Sequence, residues 1–528
     1  MVSAMAEILL CTLNARYIHP ALGLRYLLAN LGPLRPRAAL REFTLDHRPA
    51  DIAEALVAEK PRIIALGVYV WNATQTTHLV KLLRAVAPEI RIVLGGPEVS
   101  HEVDAESLSH PAHPAHLADV VVAGEGDHAF RQVCESLLAG DPASPPPQRV
   151  VFAQPPDLAT IKTPYDLYDE EDIAHRTIYV ETSRGCPYAC AFCLSALDRR
   201  VRRFPKDPVL ASLRSLMDRG ATHLKFVDRS LHLGHAEAVL RLLLEPREHP
   251  VMAHFELVPD RLPDRLRPLI SRFAPGTLQL EAGVQTFDPD VAATIDRVQD
   301  PARVADTLAF LATTAAHVHA DLVAGLPGET LEAFAAGFDR LVALGPQEIQ
   351  VGILKRLRGA PISVPDNGFI DDYGLVFDPE PPYEILKTST LDFPTLKRLK
   401  RFSQAWDRVV NNGNFRDSAR LVWHQGSPFD GFLRFTDWLH ARAGRTHSIA
   451  LKRLADFLFT YLTEDQGLDP ARVGPTLLAD YRRGGRRDRP TTLQPYPEPE
   501  PTPDPTSHPA PLKRQARHLH QPKAKQGH

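Results

Sequence analysis

Short apolar runs alternate with amphipathic stretches twice along this chain, and that rhythm leaves few folds open. Over residues 1–141 the runs are 7–13, 40–45, 63–70, 92–95 and 119–123, with helical patterns at 22–31, 74–86 and 127–138. Strands apolar on both faces must be covered on both faces, so this part predicts an α/β, doubly wound parallel sheet. Residues 170–358 repeat the rhythm six times, with strands at 177–181, 223–227, 253–257, 277–281, 318–323 and 348–354. Six right-handed βα units predict a partial (β/α)6 TIM barrel, with its working edge at the carboxyl ends of the strands. From 376 to 481 the pattern is helical only, most clearly at 393–405, 429–443 and 449–462. Proline marks the breaks. The segment 142–169 reads as a Pro-rich linker, and 482–528, where Pro alternates with Thr, Glu and Asp before a basic end, reads as a disordered tail.

Composition excludes several classes. A formal charge of −3 gives no general basic excess, so nucleic acid is not the expected partner. No apolar run approaches the ~20 residues of a membrane helix, and the first residues lack a basic leader, so the expectation is a cytoplasmic protein without membrane association. Five cysteines in 528 residues are too few for a disulfide framework.

Three of those five lie within eight residues, directly after the first strand of the second segment: Ser183-Arg-Gly-Cys186-Pro-Tyr-Ala-Cys190-Ala-Phe-Cys193. A structural zinc site takes four protein ligands, and no fourth Cys or His stands at matched spacing. Three thiolates on a tight loop can instead hold three irons of a cubane, leaving the fourth iron to a non-protein ligand. Cys11 and Cys134 fall in a strand and a helix and read as core thiols. In the first segment, glycine turns follow two successive strands, at Gly95-Gly96 and Gly124-Glu125-Gly126. They fit a broad, flat ligand that needs the backbone close. The G-x-G-x-x-G phosphate fingerprint is absent, which disfavours NAD.

The cysteine loop resembles that of the radical SAM superfamily. The resemblance implies a [4Fe–4S] cluster on Cys186, Cys190 and Cys193, with the open iron chelated by the amino and carboxylate groups of S-adenosylmethionine (SAM). One-electron reduction then yields a 5′-deoxyadenosyl radical, so a one-electron reductant such as flavodoxin or ferredoxin is an implied partner. It also implies SAM contacts at Phe192, Asp228, Glu256, Glu281, Gln285, Asp321 and Gly325, in motifs such as Glu281-Ala-Gly283-Val-Gln285 and Asp321-Leu-Val-Ala-Gly325. The first segment resembles the cobalamin-binding domain of B12-dependent radical SAM enzymes, which implies cobalamin contacts at Asn14, Tyr17, His19, Tyr69, Gly95, Gly96, Gly124, Glu125 and Gly126. The loop Tyr17-Ile-His19-Pro-Ala-Leu-Gly23 departs from the D-x-H-x-x-G pattern of His-ligated cobalamin domains. A cobalt face without a histidine ligand is therefore expected. The C-terminal helical part resembles the extension of an uncharacterised B12-binding radical SAM subfamily. The implied activity is methylation of an unactivated carbon of an unknown small-molecule or peptide substrate. Rearrangement or cyclisation without methyl transfer, and a non-catalytic cobalamin or redox sensor, are the alternatives.

Overall fold

The computed structural model describes residues 6–499, apart from 112, 142, 143, 425, 484 and 485. The first sheet contains β1 (Ile8–Asn14), β2 (Ala38–Thr44), β3 (Ile63–Gly67), β4 (Arg91–Gly95), β5 (Val120–Gly124) and β6 (Val150–Ala153). All pairs are parallel, in the order β2-β1-β3-β4-β5-β6. All five residues of β3 are buried, as a strand with helices on both faces requires. The order reverses between β1 and β3, so a crevice opens at the strands' carboxyl ends.

The chain then forms β7 (Ile178–Val180), a ribbon of β8 (Ser183–Arg184) and β9 (Arg202–Arg203), then β10 (His223–Phe226), β11 (Met252–Leu257), β12 (Leu278–Gln285), β13 (His317–Ala324) and β14 (Glu348–Ile353). The second sheet is parallel, ordered β14-β13-β12-β11-β10-β7, a six-stranded partial barrel. Along β12 buried and half-buried residues alternate strictly, because every second side chain points into the barrel.

The helical part is fused to the barrel. Phe338, on the barrel helix Leu331–Leu344, meets Phe402 at 5.0 Å and Trp406 at 4.8 Å, both edge-on, from the helix Phe393–Trp406. Barrel and helices share one hydrophobic core.

Two expectations are corrected. The stretch 142–169 is more than a linker: it carries β6 on the sheet edge, and its Leu158, Tyr165 and Tyr168 are buried in the barrel's core. Prolines around a four-residue run hid an edge strand, the one place in a sheet where they are tolerated. Order also continues past 482. The helix Pro470–Arg483 is followed by a turn, Thr491–Leu493, with Leu493 buried and Thr492 bonded to Asp456. The rest of the expected tail, 500–528, lies outside the described residues.

Two joints fix the first domain on the others. Arg25 and Arg176 alternate with Glu42 and Asp172 in a buried ring of four ion pairs, 2.6–2.9 Å long. On the far side, buried Glu98 accepts from Tyr383 Oη at 2.7 Å and from Arg358 Nε at 2.9 Å.

Candidate functional site

The cysteine loop leaves the β8/β9 ribbon through Gly185, whose φ is +87°. A Cβ there would lie 2.1 Å from the Arg200 carbonyl oxygen, so only glycine fits. The loop is then held from three directions. Cys186 N–H donates to Asp198 O at 2.9 Å, Ala191 N–H to Ile295 O at 2.9 Å, and Ile362 N–H to Ala191 O at 2.8 Å. Cys186 and Cys190 are buried and Cys193 is half-buried. Burial pushes the Cys186 thiol up, and its neighbours Cys193 and Cys190 add to that. Among the described residues no three His, Cys, Asp or Glu side chains converge on one metal ion. A zinc ion would need its thiolates within ~2.3 Å of a single point, whereas a cubane gives each thiolate its own iron. Buried Arg297 stands beside the loop, Nη1 3.6 Å from Cys190 Sγ, and also donates to Gly283 O. Its Nε has no partner, and no carboxylate pairs with it among the described residues. A guanidinium in that state calls for an anion.

The barrel interior beside the loop is polar. Glu256, Glu281 and His319 share one level across neighbouring strands, and Asp321 lies one step further along beside Gly283. Burial opposes the charge of Glu281, but His254 Nε2 at 3.0 Å and Lys225 Nζ at 3.4 Å outweigh it, so Glu281 stays well below the usual carboxylate range. Burial, then the charges of Glu281 and Glu256, hold the Asp321 carboxyl well above it. Burial also raises Glu256. Gln285 takes φ +74° where β12 shifts register against β13.

Asp228 has a different task. It accepts from Thr182 N–H, Thr182 Oγ and Ser183 Oγ at 2.6–2.9 Å, which fixes the backbone just ahead of the cysteines. Gly325 (φ +88°) packs on Ile385 and Leu396 of the helical part. Phe192 is half-buried against the main core. Glu329, in the turn after Gly325, is buried with Oε1 accepting from Thr286 at 3.2 Å and Oε2 unpartnered. Burial pushes its carboxyl up to about 8 from an ordinary 4.5. The folded state therefore keeps a proton that the unfolded chain has released. Its stabilising share is full below pH ~4.5, declines by about 1.4 kcal/mol per unit above that, and is gone above ~8. In Glu329→Gln that slope should vanish, so its denaturation midpoint should gain on the unaltered protein between pH 6 and 8. A constant difference would contradict the assignment.

A cavity of about 620 Å³ lies between the two sheets' carboxyl edges. One wall is Tyr69, Gly95, Gly96, Gly124, Glu125 and Gly126; the other is Ser183, Arg184 and Gly185 with Leu194, Ser195, Leu197 and Asp198, which flank the cysteines. Gly96 (φ +107°) brings the β4 turn so near β3 that a Cβ would lie 2.5 Å from Val68 O. Glu125 is held from across the cavity by Arg184 Nη1 at 2.8 Å and by Arg202. Arg184 also pairs with Asp127 at 2.8 Å and Glu181 at 2.9 Å, over the rings of Tyr26 and Phe204.

Three expected cavity residues lie elsewhere. Asn14 donates to Glu42, Tyr17 to Glu171, and His19 Nδ1 meets Tyr179 Oη at 2.9 Å. The loop after β1 meets the joint with the barrel through these three residues, which are not among those around the cavity, while its end, Leu22 and Gly23, does line it. Arg184 and Arg297 were not expected. Arg184 could have been suspected from its place two residues before Cys186; nothing local marks Arg297.

Comparison with known proteins agrees with this architecture. Residues 8–134 match the B12 binding domain family, and residues 371–514 match a family described as a protein of unknown function (DUF4080). The cobalamin-dependent radical SAM methyltransferase TokK of Streptomyces tokunonensis is 27% identical over 375 residues, 63% of this chain and 52% of that protein. The 2-(S-pantetheinyl)-carbapenam-3-carboxylate methyltransferase of Streptantibioticus cattleyicolor is 26% identical over 60% of this chain and 50% of its own length. The chain thus spans about half the length of these curated relatives. Among solved structures, the cobalamin-dependent SAM radical enzyme OxsB, with aqua-cobalamin and SAM bound, superimposes with a TM-score of 0.60 at 14% identity over 92% of this chain and 82% of OxsB. The radical SAM methyltransferase TsrM of Kitasatospora setae, with cobalamin and a [4Fe–4S] cluster bound, gives 0.53 at 15% identity over 68% of this chain and 78% of that one. The fold is therefore that of a cobalamin-type Rossmann-like domain joined to a radical SAM partial barrel and a helical C-terminal part.

Proposed function

We propose that this chain is a cytoplasmic cobalamin-dependent radical SAM enzyme that methylates an unactivated carbon of a small-molecule or peptide substrate. The observation that carries the reading is the shared cavity, walled by glycine turns on one side and by the flanks of the cysteine loop on the other. The residues present fit the groups required. Three thiols on one braced loop suit a [4Fe–4S] cluster, and the turns at Gly95, Gly96, Gly124 and Gly126 clear one wall of side chains for a corrin face.

When bound, the cluster supplies the electron that cleaves SAM and cobalamin supplies the methyl group. The chain's own residues align and exclude water. Cys186, Cys190 and Cys193 hold the cluster, and Arg297 offers its unpaired charge to the carboxylate of SAM. Phe192, Glu256, Glu281, Gln285 and Asp321 line the SAM site. Asp228 and Gly325 act through backbone and packing. Tyr69 and the glycine turns hold cobalamin; Glu125, clamped by two arginines, keeps that wall against the barrel.

Purified without oxygen and reconstituted, the protein should be brown, take up one hydroxocobalamin, and transfer label from methyl-deuterated SAM into product. Colourless, cluster-free protein would sink the reading. A cluster with SAM cleavage but no label in product would move it to rearrangement or cyclisation. At Gly95 an added Cβ meets only Val122 O at 3.5 Å, so a larger side chain can enter the cavity without internal clash. Gly95→Leu should weaken cobalamin binding about 100-fold, roughly 2.7 kcal/mol, with iron content unchanged. Unaltered affinity in a spectrophotometric titration would remove that wall from the site.

A further inference from the structure

The proposed chemistry needs one electron from outside, and the cysteine loop is covered on most sides. The first domain faces it across the cavity, the backbone of Ile295 is bonded to it, and the segment at Ile362 closes a third side. A further side of the loop is the β8/β9 ribbon, and there the sequence is basic: Asp198-Arg-Arg-Val-Arg-Arg-Phe-Pro-Lys206. Arg202 turns inward to Glu125 and Asp198. Arg199, Arg200, Arg203 and Lys206 are exposed, as is Leu197. The acids along this edge compensate little. Asp198 is already engaged by Arg202 and stands 3.9 Å from Arg200, and Asp207 stands 4.0 Å from Lys206. The same edge lies against the cluster loop: Asp198 O accepts from Cys186 N–H, and Arg200 O abuts Gly185. A single hydrogen bond separates the arginine-bearing backbone from a cysteine of the loop.

We propose that this edge, Arg199, Arg200, Arg203 and Lys206, is the docking surface for an acidic one-electron carrier protein of the flavin-hydroquinone kind. The inference rests on the function proposed above. The carrier's anionic hydroquinone gives up one electron and becomes the neutral semiquinone without moving a proton, and the cluster gains that electron. Charge complementarity selects an acidic carrier and steers it.

The test follows cluster reduction without oxygen, using the full chain, with flavodoxin hydroquinone in one arm and dithionite in the other. In the variant R199E/R200E/K206E the flavodoxin rate should fall about tenfold or more at low salt. It should approach that of the unaltered protein at high salt, where the screening length shrinks to about 3 Å. Iron content and the dithionite rate should not change, and R199K/R200K should keep the flavodoxin rate. An undiminished flavodoxin rate in the charge-reversed variant overturns the proposal. So does an equal loss with dithionite, which would place the residues in cluster integrity. If the variant loses RNA binding while its flavodoxin rate stands, the face belongs to nucleic acid and the proposal falls. Failure of the unaltered protein to form a cluster would instead overturn the functional reading itself.

Discussion

Alanine in place of Cys193 should leave a folded protein that stays colourless after anaerobic reconstitution and cleaves SAM no faster than buffer does. The loss in activity is complete while the loss in stability is small. Cys193 is half-buried, so deleting one sulfur there costs about 1 kcal/mol or less, and the loop keeps its backbone bonds to Asp198, Ile295 and Ile362. The cubane, by contrast, loses one of only three protein ligands. The contrasting substitution is Cys11→Ala. Cys11 lies fully buried in β1, and burial pushes its thiol far up, so it is inert. That variant should unfold more easily yet keep its iron and its SAM cleavage. If Cys193→Ala retained iron and activity, the three-thiol assignment would be wrong.

Arg184→Met carries the largest expected loss of stability, about 3–5 kcal/mol. Arg184 is the common partner of Glu125, Asp127 and Glu181, and the last two are nearly buried. Methionine keeps apolar contact with Tyr26 and Phe204 but leaves Asp127 and Glu181 without their cation. Glu125 retains Arg202, so the damage should centre on the other two acids. Adding Asp127→Asn and Glu181→Gln to Arg184→Met should recover much of the loss in a denaturant titration. No recovery would mean that packing, not uncompensated charge, is the cause. Cobalamin affinity should fall in the single variant as well, because Arg184 spans the cavity's two walls.

What could be read from the chain divides by the range of the interactions. Apolar runs are local, so β3 was visible as an unbroken apolar stretch and the barrel strands as short runs spaced by helical patterns. β6 was not, since four residues among prolines carry too little pattern to outweigh their neighbours. The cysteines were legible because the chemistry itself crowds them into one loop. Arg297 reaches Cys190 from 107 residues away, and only the barrel's closure brings the two together. Asn14, Tyr17 and His19 illustrate the converse. The family resemblance implied a place for them at the cavity, but Asn14 bonds Glu42, which belongs to the ring of Arg25, Arg176 and Asp172, while Tyr17 and His19 bond Glu171 and Tyr179.

The Glu98–Tyr383–Arg358 contact has a consequence for biosynthesis. Glu98 lies two residues past Gly96 in the turn that helps form the cavity wall, whereas Tyr383 leaves the ribosome 285 residues later. Domains emerge and fold in chain order, so the first sheet can form long before its turn is anchored. Burial raises Glu98, and until Tyr383 and Arg358 arrive that carboxyl has only water to face. The nascent protein therefore passes through a stage with the sheet built and the turn unpinned. On the function proposed above, tight cofactor retention is expected only once the C-terminal part has been made.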